Sequence, residues 1–365
     1  MNLREIFERT APEVEAALEY AQNVQFNDAL DAGEVGEFSV MLQAPAAEPR
    51  VIDKMSQALF YGDRPTYKLL HEEWVAAQRR ATLRLEQYPE NTAHFEELQS
   101  LVHRRAMVLP FVGAGFSVDA GCPTWSGYVA SQAVKGGLDA EVIKDRLANG
   151  EHEIVMDEVI QAQTLPMFTR DFKTAFENPS VEPARSPGVK LIGLFDGAAV
   201  TTNFDRVLED CYKEKGHAFR EKVVADDDAD RFIKAALHGE KYLLKLHGNI
   251  DDPRHRVLTK NEYDRSYAEG QSIPKALTRI FTNFSLLFLG CSLLSDRYLA
   301  VLKTVFESEH SLMPNHFAIV CAPDDEEERA KRDRWLAAHG MQPIWFADGD
   351  WSAPSEILQL LKTAS

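Results

Sequence analysis

The spacing of apolar positions divides the chain into a helical first part and a later alternation of short apolar runs with helical stretches. Up to about residue 100 the period is helical. Val14, Leu18 and Ala21 fall on one face, with Glu13, Glu15 and Glu19 elsewhere. Val51 to Phe60 and Thr66 to Leu85 continue this period, and Leu69, Leu70, Trp74 and Ala77 form an expected buried stripe. Trp74 reads as core or oligomer interface, as aromatic side chains usually serve. The breaker-rich piece Ala44-Pro45-Ala46-Ala47-Glu48-Pro49 is expected to be a linker or loop. Phe95 to Ala106 predicts a helix leading into the first strand.

From Val108 the pattern changes. Val108, Leu109, Phe111 and Val112 make the continuous apolar run of a strand covered on both faces. Gly113-Ala114-Gly115 turns the chain, and Ser117 and Asp119 are placed to cap a following helix. Tyr128 through Phe176 reads as helical, and proline- and glycine-bearing loops around Pro179 and Pro187 follow, which predicts a helical insertion at about 127–188. Further strands are expected at Ala198–Thr201, Tyr242–Leu246, Ser285–Leu289, Phe317–Val320 and Pro343–Phe346, with Val257-Leu258-Thr259 as another short one. Helical stretches separate them. The fold class predicted is α/β: a Rossmann-like doubly wound parallel sheet with a helical insertion and an N-terminal helical extension. Residues 1–100 would be the extension, used for assembly or partner binding, and 101–365 the main domain.

The chemistry sits at the predicted strand ends, where open α/β sheets place their ligands. Glycines in the Gly113 turn permit close approach of backbone N–H groups, and a strand, a glycine turn and a helix start suit a phosphate or pyrophosphate. The spacing lacks the third glycine of the dinucleotide fingerprint and the Lys-Ser/Thr of a P-loop, so a plain tight turn competes evenly with nucleotide binding. Thr202-Asn203-Phe204-Asp205 ends the second strand. Asn203 or Asp205 alone fits a helix N-cap, whereas two polar groups flanking Phe204 favour a ligand. His247-Gly248 ends the Tyr242 strand. His238-Gly239 carries the same dipeptide, but as the C-cap of the helix before it. Tyr263 and Tyr267, within Asn261–Tyr267, are placed to cover a pocket. Gly290-Cys291-Ser292 and Ala347-Asp348-Gly349 end two more strands.

Composition narrows the partners. The net charge of −17 opposes broad binding of a phosphate backbone, so no direct nucleic-acid partner is expected. No apolar segment approaches a membrane span, and MNLREIFERT lacks a signal-peptide core. The four cysteines, Cys122, Cys211, Cys291 and Cys321, form no CxxC pair, which points to a reducing cytoplasm and no zinc ribbon. Asp226-Asp227-Asp228 and Asp324-Asp325-Glu326 read as solvated charge, not as metal sites, and no metal is expected.

In their order, GAGFS with AGCPTW, then TTNFD, then LHG, then GCS, these pieces resemble the sirtuin-like NAD-binding family over roughly residues 100 to 350. The resemblance implies NAD as substrate. It implies contacts to the dinucleotide from Gly113, Ala114, Gly115, Ser117, Thr124, Trp125, Thr202, Gly290, Cys291, Ser292 and Asp348. Asn203, Asp205 and His247 would be the catalytic group: Asn203 positions water or ribose hydroxyls, Asp205 holds the carboxamide, and neutral His247 accepts from a ribose hydroxyl. The deacylases of the family carry a four-cysteine zinc module after the histidine, and an arginine where this chain has Pro123-Thr124-Trp125-Ser126; both are missing here. The asparagine of their late strand is also replaced, in Ile319-Val320-Cys321. The departures favour the branch similar to bacterial anti-phage NAD hydrolases, which implies homo-oligomers or an ATPase or other defence-system partner. A non-catalytic NAD or ADP-ribose sensor and an NAD-dependent deacylase are the competing expectations.

Overall fold

The computed structural model describes residues 3–35, 41–42, 50–51, 54–104, 107–177, 180–252, 255–294, 296–309 and 313–362. The linker expected at 44–49 lies outside the described residues, as do the side chains of Asp226, Asp227 and Asp228. The chain forms two compact units, Met1–Leu83 with Lys362–Ser365, and Arg84–Leu361. No helix among the described residues is long and apolar enough to cross a membrane.

The first unit holds α1 (Leu3–Gln22), α2 (Val24–Asp31), the paired short strands β1 (Met41–Leu42) and β2 (Arg50–Val51), α3 (Met55–Gly62) and most of α4 (Arg64–Glu86). Phe26, Leu30, Leu59, Phe60, Tyr67 and Leu70 make its core, with Trp74 against them. The stripe expected on α4 needs one correction: Leu69 is exposed. Tyr67, Leu70 and Trp74, three and four residues apart, define the inward face, and Leu69 lies off it. Tyr67 Oη donates to Asn27 Oδ1 at 2.6 Å, so this buried phenol is satisfied by a buried amide.

The second unit is the doubly wound domain. Its elements are α5 (Pro89–His103), β3 (Val108–Val112), the insertion helices α6 (Trp125–Lys135), α7 (Ala140–Ala148), α8 (His152–Ala162) and α9 (Leu165–Phe176), then β4 (Ala199–Thr201), α10 (Val207–Glu214), β5 (Glu221–Val224), α11 (Ala225–Leu237) and β6 (Tyr242–Lys245). There follow α12 (Lys260–Ser266), α13 (Ser272–Asn283), β7 (Ser285–Leu289), α14 (Arg297–Glu309), β8 (His316–Cys321), α15 (Glu326–Ala337), β9 (Met341–Phe346) and α16 (Ala353–Lys362). The strand order is β5-β6-β4-β3-β7-β8-β9, with every pair parallel. The chain leaves β3 in one direction and returns to β7 on its other side. The switch point therefore falls between β3 and β7, where such sheets open a ligand crevice.

Two local expectations are overturned, and one strand is added to those expected. Ser117 and Asp119 cap no helix: residues 114–117 make a single 3-10 turn, and the next helix begins at Trp125, capped by Thr124 Oγ1 accepting from Gly127 N at 3.1 Å. Ser117 is unable to cap because its hydroxyl is committed to Asp205. Val257–Thr259 is not a strand, since Thr259 and Glu262 form a capping box that starts α12. The edge strand β5 escaped notice because Glu221-Lys222-Val223-Val224 needs only one apolar face.

At the other edge, α5 covers β9. Asn91 Nδ2 donates to Trp345 O at 2.9 Å and Asn91 Oδ1 accepts from Trp345 N at 2.7 Å, so one amide side chain completes the strand's outward backbone groups. Asn91 is fully buried. Asn91→Ala strands two buried backbone groups and should cost about 2–4 kcal/mol in urea unfolding, with an unchanged circular dichroism spectrum in water. A loss below about 0.5 kcal/mol would mean that water replaces the amide at no cost.

Candidate active site at the carboxyl edge of the sheet

The parallel sheet puts the ends of β3, β4, β6, β7 and β9 on one edge. Two of the turns there meet backbone to backbone. Gly113 N donates to Leu289 O at 2.8 Å and Gly115 N to Gly290 O at 2.9 Å. A Cβ at Gly113 would lie 2.7 Å from Gly290 O and 2.8 Å from Cys291 Sγ, and one at Gly115 3.0 Å from Gly290 O. Gly290, at φ +64°, could carry a side chain only by colliding with Phe116 N. These glycines are required by the mutual approach of the turns, before any ligand is considered. Beyond them, Leu293 is held at φ +52°, and Arg332 of α15 donates to Ser292 O at 2.8 Å and Leu293 O at 2.5 Å. A strained left-handed leucine after the glycine turn fixes the loop that bears Cys291 and Ser292. Ser292 Oγ donates to Asp296 Oδ2 at 3.3 Å.

Asn203 is anchored to the first turn. Its Nδ2 donates to Gly113 O at 3.0 Å and lies 3.2 Å from Ser117 Oγ. Gly113 O can only accept, so the amide's NH2 must face it and the orientation is settled. Asn203 Oδ1 then points the other way, buried and with no hydrogen-bond partner. Asp205, two residues on, is bound by the protein: Oδ1 accepts from Ser117 Oγ at 3.1 Å and from Val207 N at 2.9 Å, at the start of α10. Burial pushes its carboxyl above the ordinary range, against the pull of Lys245 and the bond from Val207 N.

Lys245 was not singled out by the sequence. It is a buried cation inside β6, with Nζ 2.6 Å from Asp205 O and 2.9 Å from Glu209 Oε1. It ties the Asn203–Asp205 loop to the neighbouring strand. A lysine within an apolar run was the available signal.

His247 ends β6 in a buried position, 6% exposed. Its Nε2 is 2.7 Å from Tyr267 Oη and its Nδ1 3.4 Å from Tyr263 Oη, so the two tyrosines of the α12 segment cover it. Burial pulls its pKa down to about 3, and the ring is neutral at physiological pH. Among the described residues, no hydrogen bond joins the His247 ring to Asn203; the two loops meet through backbone, Leu246 N to Thr201 O at 2.9 Å and Ile250 N to Phe204 O at 3.2 Å.

The other expected residues are placed along the same edge. Thr202 N donates to Val112 O at 3.2 Å. Thr124 and Trp125 open the insertion, with the Trp125 ring 5.9 Å from that of Phe204. Asp348 lies at the end of β9, three strands from β3, where Cys321 Sγ is 3.4 Å from its Oδ1. The structure joins Gly113, Gly115, Ser117, Asn203, Asp205 and Gly290 into one hydrogen-bonded and packed cluster. His247 stands beside it and Asp348 apart from it.

A doubly wound parallel sheet with a glycine turn at the switch point, and polar groups on the flanking strand ends, is an architecture for nucleotides. Residues 197–344 match the family model of the SIR2-like domain. The match takes in the loops of Asn203, His247 and Gly290, in line with the resemblance that the motif order carries. Over 226 residues, 61% of this chain, it is 20% identical to the NAD(+) hydrolase ThsA of Bacillus cereus (strain MSX-D12). The aligned part is 45% of that protein, so the chain spans less than half of its relative.

Two outcomes follow from the geometry. Gly290→Ala forces both a clash and a left-handed alanine, and should lower stability by about 3 kcal/mol or more in denaturant unfolding. The His247 ring should show no protonation by NMR between pH 8 and 5; a midpoint near its ordinary 6.5 would show that the ring is solvated. Because the folded value lies below the unfolded one, the unfolded chain takes up the proton first. Stability tied to this ring is intact above about pH 6.5 and is lost as pH falls from there towards 3.

Proposed function

We propose that the protein is an NAD+ glycohydrolase, cleaving the nicotinamide–ribose bond to give nicotinamide and ADP-ribose. The observation that carries this reading is the buried, unpartnered Asn203 Oδ1, anchored through its own amide to the Gly113 turn. An acceptor without a donor at the carboxyl edge of such a sheet is completed by a hydroxyl or a water, the two partners that bond cleavage at a ribose offers. The SIR2-like match and the relative named an NAD(+) hydrolase support the choice of substrate.

In this reading the first-turn residues Gly113, Ala114, Gly115 and Ser117, with Thr124, Trp125 and Thr202, face the pyrophosphate and nicotinamide half. Gly290, Cys291, Ser292 and Asp348 serve the adenosine side. The C1′–N bond breaks with its electron pair leaving on neutral nicotinamide, positive charge grows on the ribose, and water adds at C1′ with loss of a proton. With Nε2–H donating to Tyr267, His247 Nδ1 is the acceptor, held only by the long contact to Tyr263. A ribose hydroxyl takes that place, and the neutral ring makes its oxygen more electron-rich as charge develops. Asn203 Oδ1 holds the water. Asp205, whose bonds are already committed within the protein, sets the loop and the carboxamide end of the site.

The setting we propose is anti-phage defence by NAD depletion, with the helical N-terminal part serving assembly or recruitment of a partner such as an ATPase. A second reading, a non-catalytic NAD or ADP-ribose sensor, draws on the coverage of His247 by both tyrosines.

Purified protein incubated with NAD, and analysed by chromatography, separates the two. Nicotinamide and ADP-ribose released without any peptide indicate the hydrolase. Asn203→Ala and His247→Ala should each lower that rate by about 10²–10⁴ while the fold is retained. ADP-ribose binding with no turnover, with or without candidate partners, would replace the hydrolase by the sensor.

A further inference from the structure

Beneath the insertion, beside the His247 loop, two buried polar groups have no partner. Arg256 is 6% exposed, its guanidinium carbon lies 4.8 Å from the centre of the Phe172 ring, and its Nε has no hydrogen-bond partner. Tyr128 of α6 is 2% exposed, its ring centre is 5.6 Å from that of Phe172, and its hydroxyl too is unpartnered. Both groups thus lie against the same Phe172 ring. Among the described residues, no ion pair joins Arg256 to a carboxylate. Glu262 is occupied in the capping box, where its Oε2 accepts from Leu258 N at 2.9 Å and Thr259 N at 3.0 Å.

A buried guanidinium lacking a carboxylate is among the costlier features a fold can keep, and one aromatic face returns only part of that cost. The position belongs to the site. Val257 N donates to His247 O at 3.0 Å, and a Cβ on Gly248 would lie 3.1 Å from Arg256 Cα. Phe172 also touches Phe204, the residue between Asn203 and Asp205, at 5.2 Å between ring centres.

We propose that Arg256 and Tyr128 form an oxyanion subsite, taking a phosphate or carboxylate group against the Phe172 ring. Guanidinium and phenol together offer only donors to such a group, and bidentate guanidinium pairing supplies the directionality. The oxyanion has two possible sources, a phosphate of the dinucleotide or a separate small anion bound alongside it. The first rests on the hydrolase reading above and the second does not.

The test uses inorganic phosphate on the intact protein, with sodium chloride at equal ionic strength as control, and needs no NAD turnover. Phosphate should raise the melting temperature of the parent. Arg256→Met should abolish that response while melting no lower than the parent without phosphate, because an unpaired buried cation has been removed. Tyr128→Phe, which keeps the ring and loses the hydroxyl, should weaken the phosphate response several-fold, and it decides the question if Arg256→Met does not fold. Calorimetry with ADP-ribose then tells the sources apart. If the dinucleotide supplies the anion, phosphate competes with ADP-ribose, and Arg256→Met weakens ADP-ribose by about tenfold or more. If the anion is separate, phosphate binds alongside ADP-ribose and Arg256→Met leaves ADP-ribose affinity unchanged. No phosphate response in the parent beyond the salt control, or an equal response in both variants, overturns the subsite, leaving a packing arginine with at most a trapped water. Because the phosphate measurement stands whether or not nicotinamide is released, its failure is separable from failure of the hydrolase assignment.

Discussion

The close approach of two backbone turns at the switch point governs the rest of the site. Gly113 and Gly115 lie against Gly290 with no room for a Cβ on either side, and two backbone hydrogen bonds seal the contact. Gly113 O is thereby fixed in space, and Asn203 takes its orientation from it. Ser117, carried by the same turn, reaches Asp205. The glycines, so often read as space for a ligand, here first serve the packing of protein on protein, and the polar array follows from that packing.

The insertion is tied to this array through its core. Phe204, Ile250 and Leu258 come from loops at the sheet edge, yet they are buried with Tyr128, Val129, Ile143, Val155, Met156, Phe168 and Phe172 of the insertion helices. Arg297 at the start of α14 adds a polar tie, donating through Nε to Glu153 of α8 at 2.9 Å and through Nη2 to Asp264 of α12 at 2.8 Å. The helix that carries the tyrosines over His247 is thus held from two sides. Non-polar burial supplies most of the adhesion, and the charge network sets the register of α8, α12 and α14.

Burial also sets the chemistry. His247 is kept neutral by desolvation and not by a charged neighbour, and its nitrogens are occupied by hydroxyls, which can be exchanged for another hydroxyl at little cost. Lys245 is the contrasting case: equally buried, it is satisfied by a carbonyl and by Glu209, and so stabilises a loop and offers nothing to a ligand. Three of the buried groups without partners among the described residues, Asn203 Oδ1, Tyr128 Oη and Arg256 Nε, belong to the strand-end loops or to the insertion packed on them.

Much of the framework was legible in the order of residues alone. Buried parallel strands are continuous apolar runs, so Val108–Val112 and Ser285–Leu289 announced themselves, and the polar residues at their ends marked one edge of a sheet. Ser117 was legible as a polar group near the turn but not as a partner of Asp205, because a cap and a long-range hydrogen bond use the same hydroxyl. Lys245 and Arg256 were silent for a related reason: whether a lysine or an arginine finds a partner depends on residues far along the chain. The linear sequence determined the strands, their edge and the residue types available there, since these follow from local periodicity and backbone preference. The folded chain alone decided which of those groups are spent on one another and which remain unpaired, since only three-dimensional packing brings their partners within hydrogen-bonding distance or keeps them apart.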